Sequence, residues 1–218
     1  EQPSHLTEVV GGGDGLTDAQ GAWELQAGKA EAPAGKTWEY TVEAEVTDVN
    51  RQRVADRTVV TVHPAAVYAG ARLAADGFAE AGKPARLELV AAAANGTREA
   101  GRPITVEIKR REWKSIRKKG VGGEWFSVNE PVETKVADCR VESEATPVGC
   151  EIKPEQPGLH LIEATVADAQ GRKQVTRTSF YVIGSGWVSW QRNDTERIDL
   201  VADKQLYDVG ETAKILVK

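Results

Sequence analysis

The sequence contains no methionine, and its first residues are Glu1, Gln2 and Pro3. Because a natural open reading frame begins with methionine, we expect the chain to be a processed or cut piece of a longer protein. No signal or transit segment is visible at its start, although a trimmed chain would lack one. The cellular location therefore has to be inferred from the chemistry of the chain.

Long apolar runs are also missing, and aromatic residues make up only 6% of the 218 residues. No stretch approaches the roughly 18–20 apolar residues of a membrane-spanning helix. The net charge of −5 is opposite in sign to that of a general binder of nucleic acids or anionic membranes. With 40% hydrophobic and 28% charged residues, the composition is that of an ordinary globular protein of one large or two modest domains.

Residues that usually carry catalysis or bind metals are few. The three histidines, His5, His63 and His160, have no partner at metal-ligand spacing, and no serine lies in a Gly-x-Ser-x-Gly turn. The glycine-rich stretch 11–15 lacks the Gly-Lys-Ser/Thr ending of a phosphate loop. The acidic residues lie mostly at expected turns and at solvent-facing strand positions. We therefore predict no catalytic residue, no cofactor and no metal site, and we expect the protein not to be an enzyme.

The chain has only two cysteines, Cys139 and Cys150. The residues between them read as strand, turn and strand, so we predict a disulfide that staples a β-hairpin. Two unpaired buried thiols are the alternative; a metal site is a weaker one, because no second Cys or His stands at zinc-ligand spacing. A disulfide indicates an oxidising compartment, so we predict a periplasmic, cell-surface or secreted protein.

Short segments of alternating apolar and polar residues are abundant. Residues 41–46, 104–108 and 160–166 are examples, and each is bounded by Gly, Pro, Asp or Asn. This pattern is typical of antiparallel strands in a β-sandwich. No apolar stripe with helical period extends beyond about two turns, so little helix is expected. The predicted fold class is all-β, with tandem antiparallel β-sandwiches.

The sequence repeats itself at an offset of 120 residues. Glu43-Ala44-x-Val46-x-Asp48 recurs as Glu163-Ala164-x-Val166-x-Asp168, and the polar turns that follow also align. A second similarity relates residues 82–90 to residues 210–217. Modules that recur at such a period indicate a string of similar domains.

These repeats predict four segments. Residues 1–66 are the C-terminal part of one sandwich, 67–183 a complete sandwich, 184–195 a linker and 196–218 the first strands of the next sandwich. The strand predicted at residues 214–217 has no partner within its own module. Since an unpaired strand is prone to aggregation, we expect it to pair with a neighbouring sheet.

A basic run extends from Lys109 to Lys119. One interpretation is a phosphate or polyanion site with Trp113 as a stacking platform. The other is a solvated strand pair whose charges are balanced by acidic neighbours, an arrangement that also suits protein docking. The acidic neighbours are Glu112, Glu124, Glu130 and Glu133. The candidate docking face consists of Arg110, Arg111, Trp113 and Lys114.

Two of the six tryptophans, Trp187 and Trp190, lie in the predicted linker. Linker tryptophans often wedge between domains and fix the angle between them. We therefore predict that this pair makes inter-domain contacts, and ligand stacking is the weaker alternative.

Several of these stretches resemble bacterial alpha-2-macroglobulins. Residues 198–217 resemble the opening strands of a macroglobulin-like domain, and the string 110–115 is similar to the same family. So are the pair Cys139 and Cys150 and the stretch 164–172 that follows them. The resemblance covers nearly the whole chain and is most specific from about residue 100 to residue 217.

The resemblance implies seven-stranded macroglobulin-like domains, similar to immunoglobulin and fibronectin type III sandwiches, just upstream of a bait region. Such proteins are broad-spectrum endopeptidase inhibitors of bacterial defence, in which a protease cuts the bait, the molecule collapses and the protease is trapped. Many members also carry a Cys-x-x-Gln thioester, but neither Cys139 nor Cys150 stands in that motif.

The implied partners are endopeptidases, reached through the full-length protein. No nucleic acid and no membrane-spanning segment is expected, and a lipid anchor elsewhere in the parent chain is left open. The alternative is a tandem β-sandwich surface adhesin or binding module, which would bind a partner protein or glycan through this chain itself.

Overall fold

The computed structural model describes residues 8–26, 28, 32, 35–74, 77–185, 188 and 198–217. These residues form twelve strands and contain no α-helix, which confirms the predicted all-β fold class. The chain divides into two compact units. One unit contains Glu1–Pro33 and Thr37–Val62, and the other contains Ala34–Lys36 and His63–Lys218.

The first unit contains one long antiparallel hairpin. Strand β1 (Trp38–Thr47) pairs with β2 (Arg53–Val62) along its whole length. Asp48 closes the turn, since its Oδ1 atom accepts hydrogen bonds at 2.8 Å from two backbone N–H groups, those of residues 50 and 52. A short carboxylate that reaches the backbone two residues on is the usual reason for an aspartate in a turn.

The second unit contains a sandwich of two sheets. The larger sheet has the order β4-β10-β9-β6-β7, and the smaller has the order β3-β5-β8. All neighbours are antiparallel except β4 and β10, which are parallel. The larger sheet consists of β4 (Ala79–Glu80), β6 (Pro103–Lys119), β7 (Trp125–Glu142), β9 (Gly158–Ala167) and β10 (Lys173–Ile183). The smaller consists of β3 (Val67–Leu73), β5 (Ala85–Ala93) and β8 (Val148–Ile152).

The core of the sandwich follows from the period-two pattern of its strands. Every second residue of β9 is buried, and the positions between them are partly exposed, as expected when one face of a strand points toward the other sheet. Leu87 and Leu89 from the smaller sheet and Ile104, Val106 and Ile162 from the larger are fully buried. Burial of each such side chain contributes roughly 1.5–3 kcal/mol relative to exposure.

The 120-residue repeat is a repeat of a whole hairpin. Strand β9 begins and ends 120 residues after β1, and β10 begins 120 residues after β2. The registers agree as well, because Thr47 pairs with Arg53 and Ala167 pairs with Lys173. Asp168 closes the second turn in the same way as Asp48 closes the first.

A third copy of this turn lies at Asp18, and it was not predicted from the sequence. Its Oδ1 atom accepts hydrogen bonds from the backbone N–H groups of Gln20 and Ala22 at 3.0 and 2.8 Å. The signal was present, since residues 18–21 and residues 168–171 both read Asp-Ala-Gln-Gly. The Asp-led turn is therefore used in both units.

The strand near the end of the chain does not borrow a partner. Strand β12 (Ile215–Val217) pairs antiparallel with β11 (Leu200–Ala202), so the expectation that it pairs with a neighbouring sheet is wrong. Asp203 explains the local pairing, because its backbone N–H donates to the carbonyl of Lys214 and its Oδ1 atom accepts from the N–H of that residue. These bonds close the loop between the two strands.

Candidate interaction surface

Strands β6 and β7 continue beyond the sheet that contains them. Strand β6 pairs with β9 only as far as Arg111, whereas its pairing with β7 continues to Lys119 and Trp125. Residues 112–132 therefore form a two-stranded arm, here named the β6–β7 ribbon. Eight paired residues per strand, at about 3.3 Å each, give the ribbon a length of about 26 Å.

The four residues of the predicted docking face lie on two faces of the strand. Side chains alternate along a strand, so Arg110 and Lys114 point to one side, and Arg111 and Trp113 point to the other. The two arginine side chains are only 11% and 16% exposed, whereas Lys114 is exposed. The structure therefore does not bring these four residues together as a single basic face.

Ion pairs neutralise the base of the ribbon. The Nη1 atom of Arg110 lies 2.7 Å from Glu112, and its Nε donates to the carbonyl of Pro157 at 3.1 Å. Arg111 donates through both Nε and Nη2 to Glu133, at 3.0 and 2.7 Å. Glu130 forms an ion pair with Lys118 further along the ribbon. Three of the four acidic neighbours named from the sequence, Glu112, Glu130 and Glu133, therefore form ion pairs with basic residues of β6.

The outer end of the ribbon exposes apolar and basic side chains together. Residues 114–126 are named the ribbon tip. Val121 is fully exposed, and Trp125 and Phe126 are 58% and 48% exposed. The guanidinium of Arg117 lies 5.7 Å from the ring centre of Trp125, a cation–π distance. The tip therefore differs from the self-neutralised base.

A β-bulge lies in β7 a few residues from the point where the ribbon leaves the sandwich. Ile108 pairs with Ala137 and Lys109 pairs with Lys135, so Val136 has no partner in the ladder. A bulge bends the strand that contains it. Val136 lines a groove of about 320 Å³ that is also lined by residues 152–156. The sequence indicates this bulge only weakly, because two apolar residues, Val136 and Ala137, are adjacent where apolar and polar residues should alternate.

His160 lies at this groove and is buried. Its ring is 5.4 Å from that of Phe180, and its Nδ1 atom donates to the carbonyl of Gly158 at 3.2 Å. Burial lowers the pKa of His160, the bond to the carbonyl raises it, and the charge of Arg110 lowers it; the net pKa is below the ordinary value of 6.5. His160 is therefore neutral at pH 7 and serves as a core side chain.

Among the described residues, no group of three or more His, Cys, Asp or Glu side chains is arranged to hold a metal ion. Within the same residues, no helix has the length and apolarity needed to cross a membrane.

The disulfide joins Cys139 and Cys150, the pair named from sequence, but the predicted hairpin is wrong. Cys139 lies on β7 of the larger sheet, whereas Cys150 lies on β8 of the smaller sheet. The intervening residues cross between the sheets instead of turning back. Ser143 holds this crossing, since its buried hydroxyl donates to the carbonyl of Glu99 and accepts from the N–H of Arg102. The disulfide is therefore a covalent tie across the sandwich.

Asp168 fixes the chain where it enters the sandwich. Its Oδ2 atom accepts hydrogen bonds from the backbone N–H of Ala66 at 3.0 Å and from Nε of Arg172 at 2.8 Å. Burial raises the pKa of Asp168, but its hydrogen bonds with backbone and side-chain donors together lower it to about 2. The carboxylate is therefore ionised throughout the neutral range.

Trp187 and Trp190 lie outside the described residues. Their predicted inter-domain contacts stay a prediction.

Comparisons with known proteins agree with this fold. Residues 70–187 match the family described as Bacterial macroglobulin domain 6. The chain is 26% identical over 179 residues to an alpha-2-macroglobulin homolog of Nostoc sp.. This alignment covers 82% of the chain but only 9% of that relative, so the chain spans a small part of its length.

Solved structures share the fold at low sequence identity. Salmonella alpha-2-macroglobulin reacted with methylamine superposes with a TM-score of 0.51 at 17% identity, over 84% of this chain and 12% of that one. The native conformation of Escherichia coli alpha-2-macroglobulin gives a TM-score of 0.51 at 16% identity, over 84% and 12%. The resemblance read from the sequence is confirmed. Because the family match spans more than half of the chain, this chain belongs to the bacterial macroglobulin domain 6 family.

Proposed function

We propose that this chain is a structural segment of a bacterial alpha-2-macroglobulin-type inhibitor, which traps endopeptidases of broad specificity after they cut its bait region. The observation that carries the proposal is the family match of residues 70–187. The chain aligns with only 9% of the length of its Nostoc relative, as expected for one segment of a long multidomain protein. Its contribution is mechanical, since stiff sandwiches hold the bait and transmit its cleavage as rearranged domain contacts.

The proposed segment boundaries are those read from the repeats, 1–66, 67–183, 184–195 and 196–218. The hairpin of the first unit supports them. Its positions Val42 and Val46 correspond, at the 120-residue offset, to the buried Ile162 and Val166, yet they are 53% and 57% exposed. In this proposal the valine face of the hairpin packs against the other strands of its own sandwich in the parent protein.

Stiffness is the property that this role requires of the central sandwich. The disulfide ties the two sheets together, and the core between them is closely packed. The bond from Ala66 to Asp168 fixes the point at which the chain enters the sandwich. A load applied to that entry point is therefore passed to the β9–β10 turn, where Asp168 lies.

We propose a periplasmic, cell-surface or secreted location, because a structural disulfide persists in an oxidising compartment. The proposed partners are endopeptidases that meet the full-length protein. Neither cysteine stands in a thioester motif, so no covalent capture step is assigned to this chain.

The test uses the full-length parent protein and a generic endopeptidase. We expect cleavage to reduce the hydrodynamic radius of the parent, and the bound protease to keep cutting small peptides while it loses activity on large protein substrates. A protease with a blocked active site is the matched control and should leave the radius unchanged. An unchanged radius after bait cleavage, together with continued hydrolysis of large substrates, would contradict the trap.

A second measurement addresses the role of this segment. The double substitution Cys139→Ala, Cys150→Ala in the parent removes the tie between the sheets without touching the bait. We expect cleavage to proceed at the same rate while large substrates regain access to the bound protease. Full shielding by the double variant would show that the stiffness of this sandwich does not contribute to trapping.

A further inference from the structure

The ribbon tip combines three features that the proposed function does not use. It exposes three large apolar side chains, Val121 in the turn and Trp125 and Phe126 on opposite faces of β7. It carries four basic side chains and one acidic side chain, although the chain as a whole has a net charge of −5. Its outermost residues also lie at the end of an arm that is about 26 Å long.

Charge separates the tip from the rest of the molecule. The basic residues of the tip are Lys114, Arg117, Lys118 and Lys119, and its acidic residue is Glu124. All other residues together carry a clear excess of negative charge. Lys118 pairs with Glu130, but both side chains are about half exposed, and such surface pairs hold their partners weakly. An anionic surface therefore attracts the molecule tip first and repels the remainder.

The length of the ribbon lets the basic tip approach an anionic surface while the acidic sandwich stays far enough away to be screened from it. The Debye length at physiological ionic strength is about 8 Å, so an arm of about 26 Å spans roughly three screening lengths. The acidic body contributes little repulsion at that distance, while the outermost cations of the tip, Lys118 and Lys119, lie close to the surface. A basic tip on a short turn would lack this advantage.

The apolar residues indicate which anionic surface fits. Tryptophan is favoured at the boundary between lipid headgroups and acyl chains, because its ring is apolar and its N–H is polar. Val121 lies within the turn, between glycines on both sides, where its side chain can enter such a boundary. Basic residues beside apolar ones add attraction to anionic headgroups.

We propose that the ribbon tip docks on the surface of an anionic lipid bilayer. Val121, Trp125 and Phe126 enter the headgroup region, and Lys118 and Lys119 lie against the phosphates. The sandwich is then held off the membrane at the length of the ribbon. The bilayer is favoured over an acidic protein because Val121 is fully exposed in the turn and Trp125 and Phe126 are about half exposed, and a fluid headgroup region can receive apolar side chains from both faces of the ribbon.

The experiment is flotation of the 218-residue chain with vesicles. One set contains phosphatidylglycerol and phosphatidylcholine, and the other contains phosphatidylcholine alone. We expect partition into the anionic vesicles at about 0.05 M salt that weakens at about 0.5 M. Val121→Asp with Trp125→Ala, and separately Lys118→Glu with Lys119→Glu, should each lower the partition coefficient by more than about tenfold.

Matched controls change the same properties elsewhere. Val49→Asp alters another fully exposed valine, in the β1–β2 turn. Lys83→Glu with Lys153→Glu reverses the charge of two exposed lysines. It changes the net charge by the same amount as Lys118→Glu with Lys119→Glu. Both controls should retain most of the vesicle binding, and melting curves should show that all variants fold.

Three outcomes would overturn the proposal. They are no partition into anionic vesicles, equal partition into neutral vesicles, and tip variants that bind like the unmodified chain. Tip variants that lose contact with an acidic protein, while the unmodified chain ignores vesicles, would assign the tip to protein docking instead. No protease takes part in this assay, so its result is independent of the trap.

Discussion

The carboxylate of Asp168 accepts a hydrogen bond from the backbone N–H of Ala66 at 3.0 Å, although 102 residues separate them. The same side chain closes the β9–β10 turn through the N–H groups of Gln170 and Arg172. One residue thus couples a local turn to the start of the sandwich. Asp48 occupies the equivalent place in the first hairpin, where it is exposed and serves the turn.

Replacement of Asp168 by alanine should destabilise the central sandwich more than Asp48→Ala destabilises the chain. Both substitutions remove two turn hydrogen bonds, but only the first also removes the bond from Nε of Arg172 and leaves a part-buried N–H at Ala66 without its acceptor. We expect the melting temperature of Asp168→Ala to fall by about 5 °C more than that of the Asp48 variant. Equal melting temperatures would show that the long-range bond is not stabilising.

The same residue gives an acid limit to stability. The pKa of Asp168 is lowered to about 2 from 3.8, so its contribution is complete above about pH 4 and is lost as the pH falls toward 2. Urea unfolding midpoints measured across this range should fall less steeply for Asp168→Ala than for the unmodified chain. If the midpoints of the two proteins fell equally steeply with pH, the lowered pKa of Asp168 would be contradicted.

The free energy of unfolding should fall as the pH is lowered from 7 to 5, because of His160. Its pKa in the folded state lies below 6.5, so the unfolded chain takes up a proton before the folded chain does. Its contribution is therefore present above the ordinary pKa and is lost as the pH falls toward the folded value. His160→Gln should flatten the pH dependence of the unfolding free energy in this range. An unchanged pH dependence in that variant would contradict the assignment.

Removal of the disulfide should destabilise the central sandwich by about 2–3 kcal/mol, because the bond closes a short loop in the unfolded chain. The two cysteines are 11 residues apart. Alanine at both positions, or a reducing agent, should lower the urea midpoint to a similar extent. Identical unfolding curves with and without reductant would show that the bond is not stabilising.

Two equivalent positions should respond differently to truncation. Ile162→Ala in β9 leaves a cavity in a closed core and should cost about 2–5 kcal/mol. Val42→Ala, at the matching position of β1, should cost less than about 1 kcal/mol because that side chain is 53% exposed. In the parent protein the cost of Val42→Ala should rise, if the proposed segment boundary is correct. An unchanged cost there would contradict the boundary at residue 66.

Much of the fold could be predicted from alternation and repetition. Strands at residues 104–108 and 160–166 follow from period-two patterns that the structure reproduces, and the offset of 120 residues predicted the equivalence of two hairpins. The cysteine pair was also predicted correctly. These features are local, or they are copies of one another, so the amino-acid order is sufficient to reveal them.

The candidate surface was harder to predict, because charge along a strand does not show which partners lie across it. Arg110 and Arg111 are adjacent in sequence but point to opposite faces, and each is paired with a glutamate. The bulge at Val136 changes which residues face one another, and its only trace in the sequence is a brief loss of alternation.

The amino-acid order by itself determined that this protein is built from alternating strands, that one hairpin recurs, and that two cysteines pair. The tertiary structure decided that the disulfide crosses between sheets, that Asp168 holds Ala66, and that the ribbon leaves the sandwich after Arg111. The physical reason is the range of the interactions. A strand pattern is set by neighbours two residues apart, whereas the choice of sheet and partner depends on contacts between residues far apart in the chain.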